Sequence, residues 1–328
     1  MRRLQLTAHG EPADAVELHE LDDPVLGPEE VLVAMEAAPL NPSDFMLVRG
    51  AYRVDATFPF PLGTEGVGRV VGCGSDIDSS LAGRRVLVLP NHEQGTWADR
   101  VVVPARNLVP LTGEADPVQL AMLGINGLTA YLLLSRYVSL MPGDWIGQTA
   151  ANSAMGEYVG RLARLAGVKT LNIVRRPEAA ERVRQFGGDR VIVQGDNLHR
   201  DIEDALGGKR LRLVLDCVGG AAVGELTKWL EPGGSIASFG VQDGQWPAIS
   251  PYDLIFQDLT LHGFSIRTWM RNAPHTVIKG IYQTLGDLVA DGSLSAAVDS
   301  VYPLDGFKDA FAQSLNASRE GKVLFTAG

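Results

Sequence analysis

The strongest constraint on the fold is the alternation of short β-rich runs and helical patterns between residues 145 and 264. The predicted strands cover residues 145–149, 169–174, 190–193, 211–217, 235–239 and 260–264. The predicted helices between them cover residues 157–166, 179–186, 201–206 and 221–230. Strands and helices at this spacing form βαβ units, and right-handed crossovers then place helices on both faces of a parallel sheet. This segment is therefore predicted to form a doubly wound α/β domain.

The residues on either side of this segment predict a second, β-rich domain. In the first third of the chain, β-branched runs bounded by Gly, Pro, Asn or Asp cover residues 31–35, 66–72, 85–89 and 97–103. Helical periodicity follows at residues 116–140. A long helix is predicted from about residue 274 to residue 290, before a last β segment at residues 322–326.

Length and composition are those of an ordinary globular chain of 328 residues, long enough for two domains. We expect residues 1–118 and 266–328 to form the β-rich domain and residues 119–265 to form the doubly wound domain. The formal net charge of -10 argues against nucleic acid or an anionic membrane surface as the main partner. The two cysteines, Cys73 and Cys217, fit buried thiols in a reducing cytoplasm.

The N-terminus does not have the pattern of a targeting segment. Arg2 and Arg3 are not followed by an apolar stretch and lead directly into a run that resembles a first strand. The longest apolar runs, such as residues 31–35 and 128–134, are far shorter than the roughly 18 residues that a membrane span needs. A cytoplasmic location without a membrane partner is therefore expected.

The turn after the first strand of the doubly wound domain is the candidate phosphate-binding loop. It reads A-A-N-S-A-M-G over residues 150–156 and precedes a predicted helix. In such a sheet, the N–H groups of residues 152–155 and the positive end of the helix would face a pyrophosphate. The usual G-x-G-x-x-G fingerprint is reduced to Gly156, with Gly160 one helical turn later. Small residues also occur in such turns without any ligand, so the turn alone leaves both interpretations open.

Two arginines at the end of the second strand indicate which dinucleotide would bind. Arg175 and Arg176 follow the strand at 169–174, where NAD enzymes usually carry an acidic residue for the ribose 2′-hydroxyl. Guanidinium groups instead suit a 2′-phosphate through bidentate, charge-assisted hydrogen bonds. We therefore predict NADPH as the cofactor. Two solvated arginines on a loop are the alternative.

The order of a β-rich domain, a βαβ domain and a C-terminal return resembles the medium-chain dehydrogenase/reductase superfamily. Local matches are G-T-E-G-V-G-R-V-V at residues 63–71, P-G-D at 142–144 and E-P-G-G at 231–234. The resemblance covers nearly the whole chain. It implies an α/β protein with a GroES-like β-rich catalytic domain and a doubly wound parallel-sheet (Rossmann) cofactor domain.

The zinc ligands of the superfamily's alcohol dehydrogenases are missing from this chain. Those enzymes carry a cysteine in a C-x-[ST]-D segment and a histidine in G-H-E. The matching segments here read N-P-S-D at residues 41–44 and G-T-E at 63–65. With two cysteines in all, a four-cysteine structural zinc lobe is excluded. The six histidines are scattered, and His92 and His262 are expected at the surface or in a satisfied core position, so no metal is predicted.

Tyr52 is the candidate proton donor. Without a Lewis acid, carbonyl–alcohol interconversion loses its usual electrophile, while reduction of a C=C bond conjugated to a carbonyl remains feasible. That reaction adds hydride to the β carbon and a proton to the α carbon or the enolate oxygen, and a tyrosine hydroxyl is a reasonable donor. Tyr52 lies in a loop of the β-rich domain, in R-G-A-Y at residues 49–52. A loop aromatic that only packs on the domain is the alternative.

Within the superfamily, the chain most resembles mitochondrial-type trans-2-enoyl-CoA/ACP reductases. The segments that carry this resemblance are residues 95–97, 123–131, 148–156, 172–177 and 262–269. The resemblance implies Tyr52 as the catalytic residue. Together with the motifs above, it places at the cofactor Asn126, Asn152, Ser153, Ala154, Met155, Arg175, Arg176, Gly240, Val241, Phe264, Ser265, Ile266 and Lys322. It places in the substrate pocket Asn41, Trp97 and Trp269.

Three departures from the family's motifs concern the site. Ala154 and Met155 stand where Gly and Val are more usual, which would shift the pyrophosphate slightly. Ser265 replaces the first tryptophan of a G-F-W segment, which would change the shape of the acyl pocket. The R-x-R-P turn is shorter by one residue, so either Arg175 or Arg176 could hold the 2′-phosphate.

The predicted function is the NADPH-dependent reduction of an activated C=C bond in a trans-2-enoyl thioester, with hydride added to the β carbon and a proton donated by Tyr52. One alternative is an NADPH:quinone or α,β-unsaturated ketone reductase. A second is an NADPH-binding sensor or structural protein without activity, and a third is a tailoring reductase for an unusual enoyl acid or ester. The resemblance also implies a homodimer. The length of the acyl chain and its carrier stay open.

Overall fold

The computed structural model describes residues 1–52, 54–240 and 244–326. The chain forms two compact units, Met1–Ile125 with Ala273–Gly328, and Asn126–Asn272. The boundaries expected from the sequence, at 118/119 and 265/266, lie before these positions. Residues up to Ile125 join the first unit because a short helix, Pro117–Ala121, packs on that unit's strands.

The secondary structure follows the predicted change from a β-rich to an alternating pattern. The strands, in chain order, are β1 (Arg2–Leu6), β2 (Val16–Glu20), β3 (Glu30–Pro39), β4 (Phe60–Pro61), β5 (Gly66–Cys73), β6 (Arg85–Val88), β7 (Arg100–Pro104), β8 (Leu108–Pro110), β9 (Trp145–Gln148), β10 (Lys169–Val174), β11 (Arg190–Val193), β12 (Leu211–Asp216), β13 (Leu230–Ser238), β14 (Thr260–Gly263), β15 (Val298–Tyr302) and β16 (Lys322–Thr326). The α-helices are α1 (Pro12–Ala15), α2 (Pro42–Val48), α3 (Pro117–Ala121), α4 (Leu128–Arg136), α5 (Ala154–Leu165), α6 (Pro177–Gln185), α7 (Leu198–Leu206), α8 (Gly220–Thr227), α9 (Pro251–Phe256), α10 (Ile266–Asn272), α11 (His275–Ala290) and α12 (Phe307–Leu315). Short 3-10 helices lie at Ser79–Leu81, Ala105–Asn107 and Leu304–Gly306, and a π-helical turn lies at Leu123–Gly127.

The first unit is built on a three-stranded sheet, β2-β1-β4, and a larger sheet with the path β15-β16-β3-β5-β6-β8, in which β7 also pairs with β3. Side chains of β3 alternate between buried and partly exposed over most of its length, as expected for a strand with one face on a core. Val31, Val33 and Met35 face that core. A second apolar cluster of this unit contains Trp97 and Phe311.

The second unit is a parallel sheet in the order β11-β10-β9-β12-β13-β14. The strand order reverses between β9 and β12, and in open α/β sheets ligands bind outside the carboxyl ends of the strands at such a switch point. The central strands are almost fully buried, as in a sheet covered on both faces. The predicted doubly wound architecture is therefore confirmed.

The predicted elements differ from the observed ones mainly where local contacts interrupt a pattern. The helical periodicity at 116–140 is divided into α3, the π-helical turn and α4. The helices α1, α2, α9, α10 and α12 were not predicted, and four of them span seven residues or fewer, over which little periodicity can be read. Among the described residues, no helix is long and apolar enough to cross a membrane.

Candidate active site

The candidate phosphate turn joins β9 to α5 at the switch point of the parallel sheet. Ser153 caps α5, since its hydroxyl oxygen accepts the N–H of Gly156 at 3.1 Å. Within the described part of the chain, the N–H groups of Asn152, Ala154 and Met155 donate to no protein acceptor. These N–H groups and the positive end of a 12-residue helix fit an anion such as a pyrophosphate.

The backbone of this turn explains which glycine of the fingerprint is kept. A Cβ atom on Gly156 would lie 2.4 Å from the carbonyl oxygen of Ala151, so only glycine allows the helix to approach the turn this closely. Ala150 has a φ of 49°, a left-handed conformation that is uncommon for residues other than glycine. The turn thus reaches its conformation without the first two glycines of the fingerprint.

A buried amide pair ties the turn to the second strand. Gln148 Nε2 donates to the carbonyl oxygen of Gly156 at 3.1 Å and to Asn172 Oδ1 at 2.7 Å. Asn172 Nδ2 in turn donates to the carbonyl oxygen of Arg190 at 2.9 Å. Both amide side chains are buried. Both residues lie in the motifs described above. Their hydrogen bonds depend on the register between neighbouring strands, so this structural role was not predicted.

Arg175 and Arg176 follow β10 directly, at the same edge of the sheet as the turn. Arg175 is exposed, and Arg176 is the half-buried N-cap residue of α6. Among the residues that the structure describes, neither guanidinium pairs with a carboxylate, whereas Arg184 of α6 pairs with Glu181 at 3.4 Å. Two guanidinium groups without a carboxylate are a suitable binding site for a phosphate group.

The carboxyl end of β12 is fixed by Asp216, which is fully buried. Its carboxylate accepts the hydroxyl of Thr149 at 2.8 Å and the N–H groups of Val218 and Gly219 at 3.1 and 3.2 Å. Burial raises the pKa of the neighbouring Cys217 thiol to about 12, so this thiol stays protonated and unreactive near neutral pH. Cys217 thus agrees with the expectation of buried thiols, whereas Cys73, at the end of β5, is only half-buried.

Two further predicted cofactor residues lie at the carboxyl ends of β13 and β14. Gly240 packs so closely on Cys217 that a Cβ atom would lie 3.1 Å from the cysteine carbonyl oxygen. The N–H of Phe264 donates to the carbonyl oxygen of Ser238 at 2.8 Å. Both residues therefore lie at the edge of the sheet where the phosphate turn lies. Val241 lies outside the described residues.

The other predicted site residues of this unit lie on short helical segments. Ser265 directly precedes Ile266, the first residue of α10, and the serine carbonyl oxygen accepts the N–H of the half-buried Trp269 at 3.0 Å. Asn126 lies in the π-helical turn. Their roles toward cofactor and substrate stay predictions.

In the first unit, Tyr52 follows α2 and is half-buried. Its ring packs against the apolar cluster around Trp97, and its centroid lies 5.3 Å from that of the His92 ring. Among the described residues, the tyrosine hydroxyl has no hydrogen-bond partner. The ring is therefore positioned by packing and not by a hydrogen bond of its hydroxyl.

A buried polar cluster, called here the Asn41 cluster, lies at the start of α2. It consists of Asn41, Asp44, Thr64, Glu65 and Lys322, each at most 5% exposed. Asp44 accepts the N–H of Asn41 at 2.8 Å and the hydroxyl of Thr64. Asn41 Nδ2 donates to Glu65 Oε1 at 2.9 Å, and the Lys322 ammonium donates to Asn41 Oδ1. One amide thus joins a carboxylate to an ammonium.

The Asn41 cluster also contacts the backbone at Ile125, where the segment Met1–Ile125 of the first unit ends. Glu65 Oε2 accepts the N–H of Ile125 at 2.6 Å. The hydroxyl of Tyr282, on α11, donates to the carbonyl oxygen of Gly124 at 2.7 Å. A Cβ atom on Gly124 would lie 2.6 Å from Glu65 Oε2, so the carboxylate approaches the backbone because the residue is glycine.

Burial shifts the pKa of each charged group in the Asn41 cluster toward its neutral form. It raises the pKa of Asp44 to about 6, and it raises the pKa of Glu65 and lowers the pKa of Lys322. Attraction between the ammonium and the two carboxyl groups offsets part of each shift.

The buried Asp44 predicts a specific pH dependence of stability. Because its pKa rises from 3.8 to about 6 on folding, the folded chain binds this proton more tightly than the unfolded chain does. The resulting stabilisation is fully present below pH 3.8 and is lost as the pH rises through about 6. Between about pH 4.5 and 7, we expect the free energy of unfolding to fall by roughly 2 kcal/mol more in the wild type than in Asp44→Asn. Urea unfolding measures this, and parallel pH profiles would contradict it.

Three residues assigned to substrate or cofactor by resemblance have extensive contacts inside the first unit. Trp97 is fully buried, and its Nε1 donates to the carbonyl oxygen of Pro39 at 3.2 Å. Asn41 and Lys322 bind each other within the Asn41 cluster. The described contacts of Trp97 are those of a core residue, and the ligand roles of all three stay predictions.

Comparisons with known proteins identify the family. Residues 27–113 match the alcohol dehydrogenase GroES-like domain, and residues 154–282 match the zinc-binding dehydrogenase family. The mitochondrial enoyl-[acyl-carrier-protein] reductases of Mus musculus and Homo sapiens are each 33% identical over 99% of this chain and 88% of their own length. The chain belongs to the enoyl reductase family of the medium-chain dehydrogenase/reductase superfamily.

Solved structures of related enoyl and quinone reductases share the fold of this enoyl reductase family member. A complex of Etr1p with NADP and crotonyl-CoA has a TM-score of 0.86 at 27% identity, over 99% of both chains. An Etr1p/Etr2p heterodimer of 2-enoyl thioester reductase from Candida tropicalis has a TM-score of 0.85 at 26% identity, also over 99% of both chains. A Bacillus thuringiensis protein assigned as an NADPH:quinone reductase has a TM-score of 0.91 at 26% identity, over 100% and 99%.

Zinc, which the name of one matching family implies, does not fit this member. In the described ranges, no three His, Cys, Asp or Glu residues are grouped so that they could hold a metal ion. The two segments that carry zinc ligands in the alcohol dehydrogenases supply Asn41 and Thr64 here, and both side chains bind neighbouring protein groups.

The sequence motifs pointed to the Asn41 cluster without indicating its chemistry. Asp44 and Glu65 both lie in segments quoted only for their lost zinc ligands. Two acidic residues next to the lost zinc ligands, together with a lysine close to the C-terminus, are the sequence signal that indicates a cluster of charged groups. Only the tertiary structure shows that they are buried together.

Proposed function

We propose that this chain catalyses the NADPH-dependent reduction of a trans-2-enoyl thioester. The observation that carries the proposal is the 33% identity with enoyl-[acyl-carrier-protein] reductases over 99% of the chain. The local geometry supports it, because one unit supplies an anion site at the phosphate turn and the other supplies a tyrosine hydroxyl without a protein partner.

The cofactor preference follows from the residues at the switch point. The N–H groups of Asn152, Ala154 and Met155 would hold the pyrophosphate, and Arg175 and Arg176 would hold the 2′-phosphate. NADP is bound in the solved structure of Etr1p with crotonyl-CoA. When bound here, NADPH would supply the hydride that adds to the β carbon of the substrate.

Tyr52 is the proposed proton donor. Its phenol would transfer a proton to the α carbon, or to the enolate oxygen, after the β carbon has been reduced. The ring is held in place by packing against the apolar cluster and next to His92. The position of the hydroxyl therefore does not depend on a hydrogen bond from the protein. A preorganised donor of this kind avoids the cost of ordering the side chain during the reaction.

A substrate panel tests the proposed activity against its nearest alternative. NADPH oxidation is measured with crotonyl-CoA and longer enoyl-CoA esters, and in parallel with 1,4-naphthoquinone. We expect kcat/KM for the best enoyl thioester to exceed that for the quinone by at least about tenfold, because a site built for the thioester discriminates by its contacts in the transition state. Faster turnover of the quinone would favour the second candidate, a quinone reductase, which the similarity to the Bacillus thuringiensis protein supports. Turnover of neither class would favour a binding protein.

We also propose a homodimer. The outer strand β14 lies at the edge of the parallel sheet and exposes Leu261, and a second copy of the chain would cover such an edge. One solved relative is a heterodimer. The cytoplasmic location expected from the sequence stays a prediction, and the mitochondrial names of several curated relatives favour a mitochondrial location instead. Light scattering after size exclusion measures the assembly state directly.

A further inference from the structure

The Tyr52 phenol is in contact with a second ring of the first unit, the imidazole of His92. The ring centroids are 5.3 Å apart, and the ring planes are inclined by 57°. Inclined aromatic rings with roughly 4.5–7 Å between their centroids make a favourable contact that depends on their relative orientation. Both side chains are half-buried. The imidazole is therefore a packing partner of the candidate proton donor.

The backbone that follows Tyr52 gives this side chain little support. Among the described residues, the one backbone hydrogen bond of residues 54–59 joins the Val54 N–H to the carbonyl oxygen of Tyr52 at 2.9 Å. Residues 57–59 are exposed. A segment with few backbone hydrogen bonds and exposed side chains is ordered mainly by the contacts of its remaining side chains. The orientation of the Tyr52 phenol therefore depends on the groups that its ring touches.

His92, by contrast, lies in a loop whose backbone is fixed on both sides. The N–H of Asn91 donates to the carbonyl oxygen of Thr64 at 3.0 Å. Asn91 Oδ1 accepts the N–H groups of Glu93 and Gln94 at 2.8 and 3.3 Å. An asparagine that binds the backbone two residues later forms a local turn of defined shape. This turn encloses His92, so the imidazole is presented to Tyr52 from a fixed position.

The Tyr52 ring also packs against the apolar cluster that contains Trp97 and Phe311. Apolar contacts of this kind are non-directional, whereas an inclined contact with an imidazole favours particular orientations of the ring. A proton donor needs a defined orientation, because small misplacements of a catalytic group slow the reaction. We propose that His92 is a positioning residue whose ring holds the Tyr52 phenol in the orientation from which it donates its proton. This role of His92 rests on the proposed function, in which Tyr52 is the donor.

NMR of the full chain tests the contact without relying on activity. Tyrosine labelled with ¹³C at the ε carbons is incorporated, and the Tyr52 signal is the one that disappears in Tyr52→Phe. In His92→Ala we expect this signal to move toward the position of a solvent-exposed tyrosine, because the ring is no longer held. In His92→Phe it should stay displaced, since the new ring can pack in the same place. An unchanged Tyr52 signal in His92→Ala would overturn the proposal.

A double-mutant cycle with crotonyl-CoA and NADPH tests whether His92 acts through Tyr52. We expect His92→Ala to lower kcat roughly tenfold, with the NADPH affinity and the KM for crotonyl-CoA nearly unchanged. In the Tyr52→Phe background, the same substitution should lower kcat by less than about twofold, because no donor is left to position. His92→Phe should recover most of the activity. Additive losses, or an equal loss in His92→Phe, would overturn the proposal, since the second result would assign the effect to the imidazole nitrogens.

His9 provides a matched control, since its ring packs on that of Phe58 with 5.0 Å between the centroids. His9→Ala should leave kcat and the Tyr52 signal unchanged, and a loss equal to that of His92→Ala would overturn the proposal. Should His92→Ala not fold, as judged by urea unfolding, His92→Leu replaces it, because leucine fills space without providing a ring.

The same variants separate this proposal from the proposed function. If Tyr52→Phe lowers kcat as expected and His92→Ala does not, only the positioning role of His92 is wrong. If Tyr52→Phe leaves kcat unchanged, Tyr52 is not the donor, and both proposals for this side chain are overturned.

Discussion

Replacing Tyr52 by phenylalanine is expected to lower kcat with an enoyl thioester by about 10²- to 10⁴-fold, the usual contribution of a general acid. The substitution removes the phenol hydroxyl, which is the group that the proposed proton transfer requires. It keeps the ring, which packs against the apolar cluster and next to His92. Steady-state kinetics give kcat, and a fluorescence titration gives the NADPH affinity, which should not change.

Tyr302 offers a matched control for the loss of a phenol group. It is a partly buried tyrosine that packs against the same apolar cluster as Tyr52. Tyr302→Phe should change kcat by less than about twofold, because Tyr302 has no role in the proposed reaction. If Tyr52→Phe lowers kcat by less than about tenfold, Tyr52 is not the proton donor. A loss of NADPH affinity in the same variant would indicate a disturbed fold instead.

Replacing Arg175 and Arg176 together by alanine is expected to weaken NADPH binding by roughly 10²-fold. Hydrogen bonds to charged groups contribute about 1.5–3 kcal/mol each, and 1.4 kcal/mol corresponds to a factor of ten. NADH lacks the 2′-phosphate, so its affinity should stay nearly constant. Equilibrium titrations of both cofactors into the wild type and the variant give the ratio that tests this prediction.

Arg184 provides the control on the same helix. It pairs with Glu181 and should not affect cofactor preference when replaced by alanine. The single variants Arg175→Ala and Arg176→Ala then show which arginine holds the phosphate, a question that the shortened turn leaves open. An unchanged ratio of NADPH to NADH affinity in the double variant would rule out both arginines.

The parallel unit was predictable because its signals are local. The strands at 169–174 and 190–193 coincide with β10 and β11, since a buried strand reveals itself as a short apolar run between turn residues. The start of α5 at Ala154 depends on the Ser153 cap, which the motif contained. The role of Gln148 and Asn172 was hidden, because it depends on the register between neighbouring strands.

The first unit was harder to predict because its important contacts join distant positions. The resemblance assigned Trp97 to the substrate pocket, a role that stays a prediction, and only the structure shows that its ring packs against Phe311 and Phe325 from the last part of the chain. The helical periodicity near residue 120 correctly predicted helical structure. Hydrogen bonds of the backbone with Glu65 and Tyr282, however, hold it at the π-helical turn. Such contacts leave no periodic trace in the sequence.

The sequence by itself determined the α/β class, the position of the turn between β9 and α5, the arginine pair after β10 and the loss of the cysteine and histidine from the two zinc-ligand segments. These features depend on residue type and short-range spacing, which are read directly from the chain. Only the tertiary structure decided which groups lie together in the Asn41 cluster. It brings Lys322 from β16 to Asn41, Asp44 and Glu65, and burial in a low-dielectric core then makes these charges depend on one another.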